Sequence, residues 1–438
     1  MRFVRLSINN MRLIGHRPFS LSFDADKNVV ILLGNNGLGK TTLLDAMATS
    51  MAPFPAQFPG IQDYLLSDLD VHIQNNGQRA EFLTVESEIE CEGMKIPSVR
   101  YRKGYSNPPK SYYEKLKQIA LEKKESIIAG KKNVCLPVFA YYGTGRGQFK
   151  VPGRKRGFQQ TFDRWDCYKS AINPETDFKR FFGWFDLMED EERRSREKLR
   201  DFDYKSPVLE VVREALSKFV PIYQNPRIET RPLRFVMDRV KNNVIQQELR
   251  IEQMSEGYKI VIAMVADLAA RMAEANPDME NPLDSSGIVL IDEVDLHLHP
   301  QWQRDIIVQL TNVFKNIQFI VSTHSPVIVI GAAGIAQVVN LNNRTENENN
   351  IGDVSKSNVG AILLSDLFGL SSLQSPIWDD RINERDLLLS KSTITEQDKK
   401  RLDELDQEME GLTSIQQSSA LRSDLLLEKL AKQLNIVL

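Results

Sequence analysis

Eight residues, Gly34-Asn35-Asn36-Gly37-Leu38-Gly39-Lys40-Thr41, constrain this chain more than any other feature. They spell G-x-x-x-x-G-K-[ST] between an apolar run, VVILL, and TTLLDAMATSMA, which has helical periodicity and meets no proline until Pro53. A buried strand, a glycine turn and a helix in that order build an anion cradle. The glycines let successive main-chain N–H groups converge on phosphate oxygens, and the helix N-terminus adds the positive end of its dipole. Lys40 suits the terminal phosphates of a nucleotide such as ATP, and the Thr41 hydroxyl suits Mg²⁺. Asn35, Asn36, Gly37, Gly39 and Thr42 complete the candidate phosphate set.

A second signal lies far downstream. Ile288-Val289-Leu290-Ile291 is followed by Asp292-Glu293. Four aliphatics and then two carboxylates read as a buried parallel strand whose carboxyl end delivers acid to a ligand site. Asp292 suits Mg²⁺, and Glu293 suits orienting or deprotonating an attacking water. IQFIVST is a similar strand that ends at His324, a residue able to hydrogen-bond a γ-phosphate. His297 and His299 are two apart with no cysteine near, a poor spacing for zinc. His299-Pro300 reads as a turn. Ser255 and Gly257, in QMSEGY, precede a long apolar helix. They offer a hydroxyl, a bare amide and a helix dipole, although Ser255 reads equally as an ordinary N-cap.

Composition narrows the class. Among 438 residues, Lys+Arg 56 against Asp+Glu 59 leaves a net charge of −3, so nucleic-acid contact requires a local patch. The best candidate is the loop from Arg146 to Arg156, where Arg146, Lys150, Arg154, Lys155 and Arg156 occur without an intervening acid. A solvated loop explains it as well. Cys91, Cys135 and Cys167 are odd in number and far apart, which fits a reducing, cytoplasmic compartment. No apolar run is long enough to span a membrane, and MRFVRLSINN does not read as a signal peptide.

Along the chain, Phe3–Ile8, Phe19–Phe23 and Val29–Leu33 alternate as strands, as do EFLTVESEIE and MKIPSVRYR. NVCLPVFAYYGTGRG reads as a buried strand entering a glycine turn. Residues 160–273 read as mostly helical, LNNRTENENNIGDVSKSN as a polar linker, and the remainder as helical. The expected fold class is α/β with a largely parallel sheet. The expected divisions are 1–155, the first half of a nucleotide-binding core behind an antiparallel strand region; 156–275, a helical insertion lobe; 276–342, the second half of the core; and 343–438, a linker and helical tail.

GNNGLGKT, MSEGY, IVLIDE with VDLHLHP, and STHSP resemble, in order, the nucleotide-binding motifs of ABC-type P-loop ATPases. The resemblance implies that two copies sandwich ATP head to tail. Gly34, Gly39, Lys40 and Thr41 of one would face Ser255 and Gly257 of the other. Asp292 and Glu293 match the Mg²⁺ and catalytic carboxylates, Asp295 the inter-subunit loop, and His324 the switch histidine. The chain departs from transporter ATPases in carrying MSEGY for LSGGQ and VDLHLHP for an alanine-leucine-aspartate loop. YYGTGRG stands where a glutamine is usual, with Gln148 the nearest candidate.

The DEVDLHLHP form is similar to the RecF, overcoming-lysogenization and anti-phage branch. Within it, the size and short tail resemble the PtuA-type ATPases of Septu systems, and the PARIS ATPase is similar. That resemblance implies a homo-oligomeric ATPase that gates a separate HNH-type partner nuclease in anti-phage defence. A RecF-like DNA repair ATPase is the alternative; an ABC transporter subunit is a third, opposed by the altered signature. No histidine follows His324, and Asp379-Asp380 is a lone acidic pair, so no nuclease site of its own is expected. FGLSSL and SALRSDLLLEKLAKQL read as helices suited to docking or self-association.

Overall fold

The computed structural model describes residues 1–147, 162–174, 178–230, 233–242, 244–342, 359–365, 367–370, 372–391 and 395–409. The chain opens with β1 (Arg2–Asn9) and β2 (Phe19–Ser22), then β3 (Val29–Leu33) and helix α1 (Lys40–Met51). β4 (Phe82–Cys91), β5 (Met94–Lys103), α2 (Glu114–Ile128) and β6 (Val138–Tyr142) follow. Helices α3 (Lys179–Leu199) and α4 (Pro207–Phe219) lead to β7 (Tyr223–Thr230), β8 (Leu233–Lys241) and β9 (Val244–Arg250). Then come α5 (Glu256–Ala275), β10 (Gly287–Ile291), α6 (Pro300–Val313), β11 (Ile317–Thr323), α7 (Pro326–Gly331) and β12 (Ala336–Asn340).

Two sheets sandwich α1. One is antiparallel, in the order β2-β1-β4-β5. The other is wholly parallel, in the order β12-β3-β11-β10-β6. Every residue of β3, β6, β10 and β11 is buried, as a sheet covered on both faces demands. All residues of α1 but Thr41 are buried, which is why its sequence lacks a clean polar face. Gln318 of β11 ties the sheets together: it accepts from the Phe3 amide at 2.7 Å and donates to the Phe3 carbonyl at 3.2 Å.

Register aligns the carboxyl ends of the parallel strands. Ile291 lies opposite both Tyr142 and Val321, and Leu33 lies opposite both Thr323 and Asn340. Gly34, Gly143, Asp292 and His324 therefore emerge along one edge, the ligand edge of an α/β sheet. The fold is an α/β P-loop ATPase core with an N-terminal antiparallel region, as expected.

The lobe is less purely helical than expected. Between α4 and α5 it carries an antiparallel sheet in the order β7-β8-β9. β9 reads VIQQELR, a helix-friendly composition on an exposed strand. Its pairing is set by β8 and by the left-handed Asn242 (φ 51°), so tertiary context overrides propensity. β12 was likewise not anticipated.

Met1–Ile362 form one compact unit, and a second begins at Leu363. Helix α8 (Val359–Leu364) spans that boundary. In the second unit, α9 (Pro376–Leu389) and α10 (Glu396–Met409) are joined by ion pairs, Arg385 to Asp406 at 2.8 Å and Arg401 to Glu384 at 2.8 Å. FGLSSL is not helical among its described residues; Leu367 and Phe368 form a turn. SALRSDLLLEKLAKQL lies outside the described residues. Among the described residues no helix is long and apolar enough to cross a membrane.

Candidate active site

The cradle starts where β3 ends. A Cβ on Gly34 would lie 3.1 Å from the side chains of both Leu341 and Leu38. Gly37 (φ 84°) and Gly39 (φ 94°) hold left-handed conformations that favour glycine, and Gly39 caps α1. Asn35 and Asn36 are exposed, and the Asn35 amide donates to Asn342 Oδ1 at 3.2 Å. Lys40 is buried. Its ammonium donates to the carbonyls of Gly34 at 2.7 Å and Asn35 at 3.2 Å. Burial pulls the Lys40 pKa below the ordinary lysine value, and Asp292, Glu293 and Asp295 pull it back up. Thr42 is buried on α1 beside Gly39.

The acidic strand end meets this cradle. The Asp292 amide donates to the Tyr142 carbonyl at 2.9 Å. Its carboxylate accepts from Thr41 Oγ1 at 2.8 Å and from Ser322 Oγ at 2.5 Å. Ser322, which the sequence did not single out, also accepts the Glu293 amide at 2.7 Å. Glu293 is half-buried at φ 47°, and its carboxylate has no hydrogen-bond partner among the described residues. Asp295 accepts from Thr323 Oγ1 at 2.5 Å within its own chain. His324 follows β11 with its Nε2 buried and unpartnered. A hydroxyl and a carboxylate sharing one point are hard oxygen donors of the kind Mg²⁺ takes, and a buried lysine on a glycine loop suits phosphate.

Ser255 and Gly257 lie elsewhere. Ser255 occupies the N-cap of α5, yet its side chain makes no capping hydrogen bond and is exposed. A Cβ on Gly257 would lie 2.8 Å from the His297 carbonyl, so glycine is needed for this close approach. His297 sits at φ 62°, with Nδ1 3.8 Å from Glu256. His299 caps α6 by accepting from the Gln301 amide at 3.4 Å, the turn its sequence suggested. Ser255, Gly257, Tyr258, His297, His299 and Trp302 line a cleft of about 720 Å³, and no cradle residue lines it.

Three further features escaped the sequence. First, Arg146 is not a surface cation of a nucleic-acid loop. It is 1% exposed and donates to the carbonyls of Gly143, Asp292 and Glu293. A short turn after β6 brings it under the acidic strand end, and only its distance from that strand could have hinted at this. Lys150, Arg154, Lys155, Arg156 and Gln148 lie outside the described residues. Second, the Tyr142 hydroxyl donates to Asp267 of α5 at 2.9 Å, and Arg271 pairs with the same carboxylate at 2.8 Å. The strand end at the site is thus tied to the helix that starts after Ser255. Third, Ile14, Arg17, Phe19, Leu38, Leu43 and Leu341 line a cleft of about 400 Å³ beside the cradle.

The family described as "AAA domain, putative AbiEii toxin, Type IV TA system" matches residues 29–330. The chain is 30% identical to "Retron Ec83 probable ATPase" of Escherichia coli over 74% of this chain and 69% of that protein. It is 35% identical to "Septu protein PtuA" of Bacillus mycoides (strain KBAB4) over 36% of this chain and 22% of that protein. Among solved structures, the SMC head domain from Thermotoga maritima is a weak likeness. Its TM-score is 0.43 at 18% identity, over 77% of this chain and 95% of that one.

Proposed function

The chain belongs to this AAA-domain family, and on that premise we propose that it binds and hydrolyses ATP as the motor of an anti-phage defence complex. The observation that carries the chemistry is the meeting of Thr41 with Asp292 at the strand edge, with the unpartnered carboxylate of Glu293 next in sequence. Lys40 exchanges the carbonyls of Gly34 and Asn35 for phosphate oxygens, and the amides of residues 35–41 complete the cradle. Thr41 and Asp292 would hold Mg²⁺, which would neutralise charge on the transferring phosphate. Glu293 accepts the proton of the attacking water, and His324 offers its free Nε2 to the γ-phosphate. The cleft beside Leu38 and Phe19 receives the base.

The rest of the proposal concerns assembly. The unspent hydroxyl of Ser255 and the amide of Gly257 complete the site in a second copy, so that ATP closes a two-fold dimer. Asp295 lies on the loop facing that partner. The relatives' names support a place in retron- or Septu-like defence, where the closed dimer gates a separate partner nuclease. DNA repair of RecF type is the weaker reading, because the relatives' names point to defence. The test is Glu293→Gln with ATP and Mg²⁺ in sedimentation: a nucleotide-dependent dimer supports the proposal, and a monomer opposes it.

A further inference from the structure

We propose that Arg146 is a positioning residue for hydrolysis: it clamps the main chain of Asp292 and Glu293 and thereby aims the Glu293 carboxylate. The proposal rests on the reading of Glu293 as the hydrolytic base.

Arg146 is a cation 1% exposed. Burying a guanidinium is costly, and the usual compensation is a carboxylate partner. Arg146 has no ion pair among the described residues. Its Nη1 donates to the Gly143 carbonyl at 3.0 Å and the Asp292 carbonyl at 2.5 Å, and its Nη2 to the Glu293 carbonyl at 2.5 Å. Burial lowers its pKa to about 10, with Asp292, Asp295 and Glu293 opposing, so it stays charged near neutrality. The fork therefore spans two consecutive peptide units, those of the acidic pair, while Nη1 also ties it to Gly143 in its own turn.

Glu293 needs such a clamp. Its φ of 47° is an unfavourable conformation for a residue with a Cβ, held only where surroundings over-determine it. Ser322 Oγ takes its amide at 2.7 Å, the Ser322 carbonyl takes the next amide, of Val294, at 2.9 Å, and its carbonyl accepts both the Leu296 amide at 2.9 Å and Arg146 Nη2. Every main-chain polar group of the residue is tied down, while its carboxylate has no partner among the described residues. The direction of the Cα–Cβ bond is fixed from behind and the acid remains available for water. Lysine cannot reproduce this, because a single ammonium does not present the planar fork that spans two carbonyls.

The experiment compares wild type, Arg146→Lys and Arg146→Gln for ATP hydrolysis, affinity for a fluorescent ATP analogue, and thermal melting. Positioning predicts that kcat falls about 10- to 100-fold, because a small misplacement of a reacting group costs that much. KM and nucleotide affinity change less than about threefold, and melting stays cooperative. It also predicts that adding Arg146→Lys to Glu293→Gln lowers residual turnover no further, since nothing is left to aim. An unchanged kcat in both single variants overturns the proposal. So does a fall in affinity parallel to kcat, a further loss in the Glu293→Gln background, or loss of cooperative melting in both variants, which would make Arg146 a staple of the fold. If Glu293→Gln hydrolyses ATP at the wild-type rate, the reading of Glu293 fails and the proposal falls with it. If Glu293→Gln is inactive while both Arg146 variants turn over at the wild-type rate, the proposal fails alone.

Discussion

Thr41, at the first turn of α1, donates its hydroxyl to Asp292 at 2.8 Å, joining residues 251 positions apart. Ser322 holds the other oxygen of the same carboxylate at 2.5 Å. This shared acid is where the two halves of the core meet. Asp292→Asn keeps an acceptor for Thr41 but removes the charge that favours a divalent cation. The Mg²⁺ concentration for half-maximal hydrolysis should rise at least about tenfold, with nucleotide affinity in EDTA little changed. A Mg²⁺ titration reads this directly, and an unaltered Mg²⁺ dependence would count against Asp292 as a metal ligand.

Lys40→Ala removes the only buried cation inside the cradle. Charge-assisted hydrogen bonds contribute about 1.5–3 kcal/mol each, so nucleotide affinity should drop by roughly two orders of magnitude. Calorimetric titration with ATP measures the loss. Affinity equal to wild type would mean that the loop does not hold phosphate.

Glu293→Gln preserves size and main-chain bonds but cannot take a proton. Turnover should fall by about 10²–10⁴-fold with ATP affinity retained, the usual contribution of a general base. Single-turnover hydrolysis separates the two quantities, and a wild-type rate would reassign the residue.

What the sequence revealed was local and periodic. The glycine spacing at Gly34–Thr41, the aliphatic run before Asp292 and the strand before His324 are short patterns, and each sits on the predicted element. The features it hid depend on tertiary geometry. Arg146 in GTGRG looks like the start of a basic loop, and only the register of β6 against β10 carries it beneath the acidic pair. Ser322 is one letter in a hydrophobic strand, and its role arises because β11 lies beside β10. β9 misled because its polar composition favours helix while its neighbour β8 imposes a strand. The cleft beside the cradle joins residues 14–19 to Leu341, positions no linear pattern connects.

Glu189 of α3 offers a test of the lobe. It is 8% exposed and accepts the Ile228 amide at 2.9 Å. Burial raises its pKa from 4.5 to about 7, opposed by the Ile228 amide, Arg193 and Arg213 and reinforced by Glu192. A carboxyl whose folded pKa is raised favours the folded state fully below its unfolded value and loses that contribution as pH rises through the folded value. Unfolding free energy should therefore decline between about pH 5 and 8 by roughly 2–3 kcal/mol more in wild type than in Glu189→Gln. Denaturant titrations at both pH values measure it, and parallel pH profiles would refute the assignment.

The central claim is that each catalytic site is divided between two copies, with Lys40 from one and Ser255 from the other. Mixing inactive Lys40→Ala chains with inactive Ser255→Arg chains tests it most directly, because each heterodimer would contain one intact site. The account predicts that the mixture regains about a quarter of wild-type ATP hydrolysis, from half of the dimers carrying one working site of two. A mixture as inactive as its two components would contradict it.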